Sequence, residues 1–221
     1  NYSVRKYQAS DYEKWNAFIA ESKNATFLFH RDFMEYHKDR FKDFSLIVLD
    51  GDKWVAVLPA NVVGHQVFSH QGLTYGGLVF SNIVKAETVE TVLDCLVMFM
   101  KENSIKTLNY NPVPSFYFPK GNAEVDFLLL KRGAVLVRKE MNLAINFATP
   151  LDISKSKLKH FRKCQKNKMQ IVEENQLEIF WEFVLEPRLL SKHKVKPVHS
   201  KDEILFLNSK FSENIKQYSV Q

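Results

Sequence analysis

Hydrophobic residues along this chain recur at two spacings, about every 3.6 residues and every second residue, and the switches between them outline its elements. After a strand-like run, SVRKYQ, Asp11 stands as a helix start before YEKWNAFIAES, where Trp15, Phe18 and Ile19 share one helical face. NATFLFHRDFMEYHKDRF reads as a second, aromatic-rich helix over Arg31 to Phe41. FSLIVLDGDKWVAVLPA follows as two β runs joined at Asp50-Gly51, a strong short-range hairpin signal. Further strand-like segments surround VVGHQVFSHQGLTYGGLVF. KAETVETVLDCLVMFMKEN then returns to helical spacing, KTLNYNPVP reads as a strand stopped by Pro112 and Pro114, and EVDFLLLKRG as a helix closed by Gly133. VLVRKEMNLAINF alternates again and is expected to be a strand. This order predicts an α/β or α+β domain, a mixed sheet flanked by helices, over residues 1–150.

From residue 171 the order begins again: strand, helix with Phe180 and Trp181, loop, helix, strand. Ser200 and Glu203 have the spacing of a reciprocal helix cap. The pattern predicts one complete domain, a basic helical connector over residues 151–170, and the start of a second copy over 171–221, cut short where the first copy enters its hairpin.

Composition adds that 221 residues with 45% hydrophobic content can bury a proper core. No apolar run approaches the roughly 20 residues of a membrane helix; VLDCLVMFM is short and carries Asp94. Cys95 and Cys164 lie far apart without metal-ligand spacing, which suits free thiols in the cytoplasm. The chain opens at Asn1 rather than Met, consistent with a trimmed N-terminus, and a removed signal peptide is compatible with that. His30, Met34 and His37 fall on one face of the expected second helix, where a solvated surface is a better reading than a metal site.

The net charge of +6 is local. Of the 31 Lys and Arg, seven lie between Ser154 and Gln170, a stretch without an acid; the remaining 24 face 25 Asp and Glu, a net of −1. On a helix, Lys155, Lys159, Arg162, Lys163 and Lys166 fall within a sector roughly 100° wide, with Leu158, Phe161 and Met169 on another. That band is a candidate phosphate-binding face, against the alternative of a solvated connector.

SHQGLTYGGLVF holds three of the seven glycines, Gly72, Gly76 and Gly77. In one reading they bring a bulged strand close to an acceptor, with Ser69, His70, Gln71 and Tyr75 presenting polar groups and His70 as general base, because an imidazole titrates near neutrality. In the other they relieve tight turns while His70 and Tyr75 are satisfied inside. No serine sits in a nucleophile-elbow sequence, so nothing points to a hydrolase.

The tandem order around a basic segment, with FLFHRDFMEYHKDRF, LPAN followed by SHQGLTYGGLVF, and KVKPVHSKDEI, resembles the GNAT acyltransferase superfamily, in particular FemAB-like double-GNAT proteins and their relatives in bacterial polysaccharide gene clusters. The resemblance spans the whole chain. It implies transfer of an acetyl group from acetyl-CoA or another acyl-CoA, or of an aminoacyl group from aminoacyl-tRNA, to an amine or hydroxyl of a sugar or peptidoglycan-type acceptor. No His, Cys or Asp set forms a metal pattern, and the resemblance allows peripheral contact with a lipid-linked substrate. The family's pyrophosphate loop, Gln or Arg, two residues, Gly, one residue, Gly or Ala, has no match: QGLTYGG has Gln71 but the wrong glycine spacing. In this family the second domain commonly carries that loop, and the expectation is that it falls beyond Gln221, so that this chain alone binds acetyl-CoA poorly. Two other classes stay open: a catalytically silent scaffold, and an RNA-binding module using the basic helix, for which the charge is the sole support.

Overall fold

The computed structural model describes residues 1–118 and 123–221. They form two compact units, Asn1–Asn142 and Leu143–Gln221.

In the first unit, strands β1 (Tyr2–Lys6), β2 (Leu46–Asp50), β3 (Lys53–Leu58) and β6 (Val79–Phe80) form an antiparallel sheet in the order β1-β2-β3-β6. A second sheet, β4-β5-β7, joins β4 (Asn61–Val63), β5 (Gln66–Phe68) and β7 (Thr107–Asn109), with β5 and β7 parallel. The expected β2–β3 hairpin forms at Asp50-Gly51, with Gly51 at φ +58° as a tight turn requires.

Leu46, Ile47 and Val48 are all fully buried, as are Ala56, Val57 and Leu58, so both faces of this sheet are covered. Successive strand residues point to opposite faces. Leu46, Val48, Ala56 and Leu58 belong to the core with Val89, Val92, Leu93, Leu96 and Met100, which form one stripe of α3 (Ala86–Glu102). Val125 and Leu128 of α4 (Ala123–Lys131) join the same core. Each such side chain, fully buried, contributes about 1.5–3 kcal/mol. Trp15 and Ile19 are the buried residues of α1 (Tyr12–Glu21), and Phe18 packs on Trp54 with ring centres 6.0 Å apart.

Three expectations change. The helix expected over Arg31 to Phe41 is a 3-10 turn, Phe27–Phe29, followed by a five-residue α2, Arg31–Glu35. It stops where His37 turns inward to stack on His70 and meet the Phe41 ring. His37 is therefore buried, and His30 caps α2 by accepting from the Asp32 amide; neither sits on a solvated helical face. Asp11 ends a short turn instead of capping α1 by its side chain, its carboxylate held by Arg5 at 2.6 and 2.8 Å and by the Gln8 amide. Residues 134–147 keep their alternation but join no ladder among the described residues, and Val137 is 90% exposed. Alternation makes a strand only when a partner backbone takes up its N–H and C=O groups.

The second unit has α5 (Lys155–Lys166), β8 (Ile171–Glu174), α6 (Leu177–Phe180), which runs through a π turn at Trp181–Leu185 into α7 (Glu186–His193), then α8 (Lys201–Lys210) and β9 (Gln217–Val220). β8 pairs antiparallel with β9, as β1 pairs with β2, so the order strand, helix, helix, strand recurs. Leu177, Ile204, Leu207 and Phe211 form its buried residues. The Ser200–Glu203 cap forms as its spacing predicts, each side chain accepting from the other's amide.

Arg31 ties the first unit together. Its buried guanidinium pairs with Asp43 at 2.8 Å and Glu35 at 2.7 Å, meets Ser45 Oγ, and lies 3.7 Å from the Tyr7 ring centre. Replacing Arg31 with Ala should lower unfolding free energy by about 3 kcal/mol, reduced from the cost of a wholly buried pair because both carboxylates keep solvent contact. Arg31→Lys should recover only part of this, since an ammonium lacks the planar fork. Urea unfolding midpoints of the two variants check both expectations.

Candidate functional site

The Ser69–Phe80 stretch connects the two sheets, and its backbone is threaded closely against other chain segments. Ser69 N–H donates to the Asn109 carbonyl and Ser69 Oγ accepts from the Asn111 amide, 2.9 and 2.8 Å. Gly76 N–H donates to the Asn111 carbonyl, 2.8 Å. Between these anchors the chain turns back on itself, and a Cβ on Gly76 would lie 1.7 Å from the Ser69 carbonyl oxygen. At Gly77, φ is +99° and a Cβ would meet the Tyr110 hydroxyl at 2.6 Å; at Gly72 it would meet His37 Nε2 at 2.3 Å. The three glycines thus answer a packing demand inside the fold.

Buried polar side chains hold this turn. Tyr110 Oη accepts from the Leu78 amide, its own pKa driven up by burial. Asn24 spans the next strand, donating to the Leu78 carbonyl and accepting from the Phe80 amide, both 2.8 Å. Asn61, fully buried, accepts from the Gln71 backbone N–H through Oδ1, which turns its Nδ2 toward Gln71 Oε1, 2.8 Å each. The Gln71 amide is thereby anchored through Oε1 on an exposed residue, and its Nε2 has no protein partner among the described residues. None of Asn24, Asn61, Tyr110 or Asn111 is marked by spacing in the sequence. Each matters through distant backbone.

His70 and Tyr75 both lie inside. His70 is 6% exposed, takes φ +71°, and accepts from the Gly72 amide through Nδ1. It stacks on His37, ring centres 5.6 Å apart and planes 12° from parallel. His37 Nε2 donates to the Gly72 carbonyl, so this nitrogen carries the proton, and the buried Nδ1 has no partner. Burial first, and then the neighbouring His37, push the His70 pKa down to about 4. At neutral pH His70 is an uncharged packing group and, with so low a pKa, a weak proton acceptor. Tyr75 meets Phe29 and Tyr117 at 6.1 and 5.5 Å, and burial raises its pKa.

The basic residues sit together on α5, in the second unit. Ser154 caps this helix by accepting from the Lys157 amide. Lys155, Lys159, Arg162, Lys163 and Lys166 are exposed, and none has a carboxylate partner among the described residues. Elsewhere in the same unit, a depression of about 240 Å³ is lined by Glu173, Glu174, Glu213 and Lys216, the lysine 3.2 Å from Glu173 and 3.7 Å from Glu213. No three His, Cys, Asp or Glu gather as metal ligands among the described residues. Nor is any of their helices long and apolar enough to cross a membrane.

The mixed α/β arrangement superimposes on the crystal structure of FemX over 99% of this chain and 57% of FemX, with a TM-score of 0.57 and 13% identity. The chain shares its fold with FemX. It spans little more than half of FemX's length. Looser likenesses, too weak to bear on function, are the ribosomal-protein-S18-alanine N-acetyltransferase of Escherichia coli (TM-score 0.35, 11% identity, 49% of this chain and 64% of that one) and wild-type TTHA1254 of Thermus thermophilus (0.35, 14%, 67% and 98%). No protein-family profile matches the sequence, and no curated protein is significantly similar to it.

The sequence resemblance to acyltransferases implies an acyl-CoA, whose pyrophosphate needs free amides at a helix start. The starts of α3, α5 and α8 do not present that arrangement. α3 begins at Lys85-Ala86 with no glycine before it in the stretch from Ser81, and with Glu87 in its first turn. At α5 and α8 no glycine precedes the helix and one opening amide, that of Lys157 and of Glu203, is taken by Ser154 and Ser200.

Two outcomes follow. Gly76→Ala should prevent folding or cost more than about 3 kcal/mol, since its clash is with backbone, whereas Gly64→Ala, with open space at φ +57°, should cost about 1–2 kcal/mol; circular dichroism melts compare them. His70→Asn, which tolerates a positive φ, should flatten the acid limb of stability. The wild-type imidazole binds its proton less well folded than unfolded. Its contribution is therefore complete above pH 6.5, declines as pH falls from 6.5 to about 4, and amounts to roughly 3 kcal/mol. Urea midpoints from pH 7 to 4 for both proteins give the difference.

Proposed function

We propose that this chain belongs to an acyltransferase that moves an acetyl or aminoacyl group to an amine or hydroxyl of a cell-envelope or polysaccharide precursor. The likeness to FemX along 99% of the chain carries this reading, together with the FemAB-like sequence resemblance. Within it, Ser69, Gly72, Tyr75, Gly76 and Gly77 are framework for the acceptor side, and Gln71 is its contact: the Asn61 clamp anchors a neutral amide through Oε1 and leaves its Nε2 donor for a sugar hydroxyl or peptide carbonyl. Because burial keeps His70 uncharged, we assign its ring to holding the Gly72 turn, with any proton removal by it confined to that neutral form. The α5 band takes the phosphate-bearing part of a substrate. The starts of α3, α5 and α8 lack the glycine loop that would cradle an acyl-CoA pyrophosphate.

The test is an acyl-transfer assay of the intact protein with labelled acetyl-CoA and aminoacyl-tRNA against nucleotide-sugar and muropeptide acceptors. Transfer from either donor is expected; its absence from both leaves a silent scaffold. Residues 1–221 alone should show no micromolar binding of acetyl-CoA by calorimetry. In the active protein, Gln71→Glu keeps the oxygen that Asn61 needs and removes the Nε2 donor. Acceptor KM should rise about tenfold, with stability changed by less than about 1 kcal/mol, as differential scanning calorimetry would record.

A further inference from the structure

We propose that α5 is an interfacial helix that lies on the surface of an anionic lipid bilayer. This goes beyond the acyl-transfer reading. It rests only on α5 being a phosphate-facing element and names the source of the phosphates as membrane headgroups.

Charge supplies the first half of the case. Seven Lys and Arg between Ser154 and Gln170 meet no acid in that stretch and no carboxylate elsewhere among the described residues. A helix that is merely soluble offsets such a run with i,i+4 partners of opposite sign. Other lysines of this unit do have carboxylate partners: Lys201 reaches Glu178 and Glu182, and Lys216 reaches Glu173 and Glu213. Among the described residues, the cations of α5 stand free.

Apolar residues separate a lipid surface from a nucleic acid. At about 100° per residue, Leu158 and Phe161 lie 60° apart on one side of α5, with Lys157 on one flank and Lys155 and Arg162 on the other. Phe161 is 55% exposed, and Ile153 and Met169, just before and after the helix, are 45% and 43% exposed. A phosphodiester backbone has no use for a leucine and a phenylalanine set beside the cations. A bilayer takes both: the basic stems reach up to the headgroups while the apolar side chains enter the acyl boundary. Anionic lipid also attracts each nearby Lys or Arg in addition to the gain from apolar insertion.

Flotation with vesicles of phosphatidylglycerol and phosphatidylcholine, against vesicles of phosphatidylcholine alone, tests the proposal on the 221-residue chain. Binding to the anionic vesicles is expected at least about tenfold tighter than to the neutral ones, weakening as salt rises. The Lys159→Glu, Arg162→Glu, Lys166→Glu triple variant should lose it while its circular dichroism stays native. Leu158→Gln with Phe161→Gln, which keeps every charge, should weaken vesicle binding about tenfold and leave binding to a short single-stranded RNA unchanged. Absence of vesicle binding at low salt overturns the proposal. So does equal binding to neutral vesicles, or an apolar double variant that binds anionic vesicles as well as wild type does, which would make α5 a general polyanion surface. Vesicle binding is read without turnover, so its failure and failure of the acyl-transfer assay are separate results.

Discussion

The first unit depends on one buried cation. Arg31 is 2% exposed, and its guanidinium reaches groups from four separate segments: Tyr7 after β1, Trp15 on α1, Glu35 on its own helix, and Asp43 with Ser45 leading into β2. Removing a charge from water is costly, so such a residue is tolerated only where partners surround it in one geometry. These contacts join α2 to the end of β1, to α1 and to the segment leading into β2. The Tyr7 ring, drawn under the guanidinium, is buried enough for its pKa to rise despite the neighbouring positive charge.

The same logic governs the Ser69–Phe80 turn on a neutral scale. Asn24, Asn61 and Asn111 supply side-chain donors and acceptors where the backbone has left its ladders, so few polar atoms are stranded. His37 Nδ1 is an exception, buried without a partner beside His70. The glycines let the segments approach, and the asparagines stop the approach from leaving polar groups unpaired. What the turn exposes is small: Gln71, anchored by a fully buried asparagine, and Thr74.

Legibility in the sequence followed the range of the interaction. α1, α3, α4, α5 and α8, the hairpin at Gly51 and the Ser200–Glu203 cap were readable because each rests on residues three or four apart, or two within a turn. The length of α2 was not, since it ends where His37 stacks on His70, a ring distant in the chain. Residues 134–147 have a strand's alternation yet pair with nothing described, because a ladder is made by two segments and the pattern belongs to one. In SHQGLTYGGLVF the glycine cluster marked closely packed backbone. Its titratable group was another matter: the same burial that makes a glycine-rich turn compact pushes His70 away from neutrality.

Composition and periodicity by themselves determined a mixed α/β chain whose strand, helix, helix, strand order occurs twice, with its excess positive charge confined to one helix. These are local properties, fixed by side-chain spacing and by the sign of neighbouring charges. Tertiary structure alone decided which polar residues matter. Asn24 and Phe80, Asn61 and Gln71, Ser69 and Asn111, His37 and Gly72 are each ten or more positions apart, and no periodicity links them. Their pairing follows from burial, which makes an unpaired donor or acceptor expensive only once the chain has closed around it.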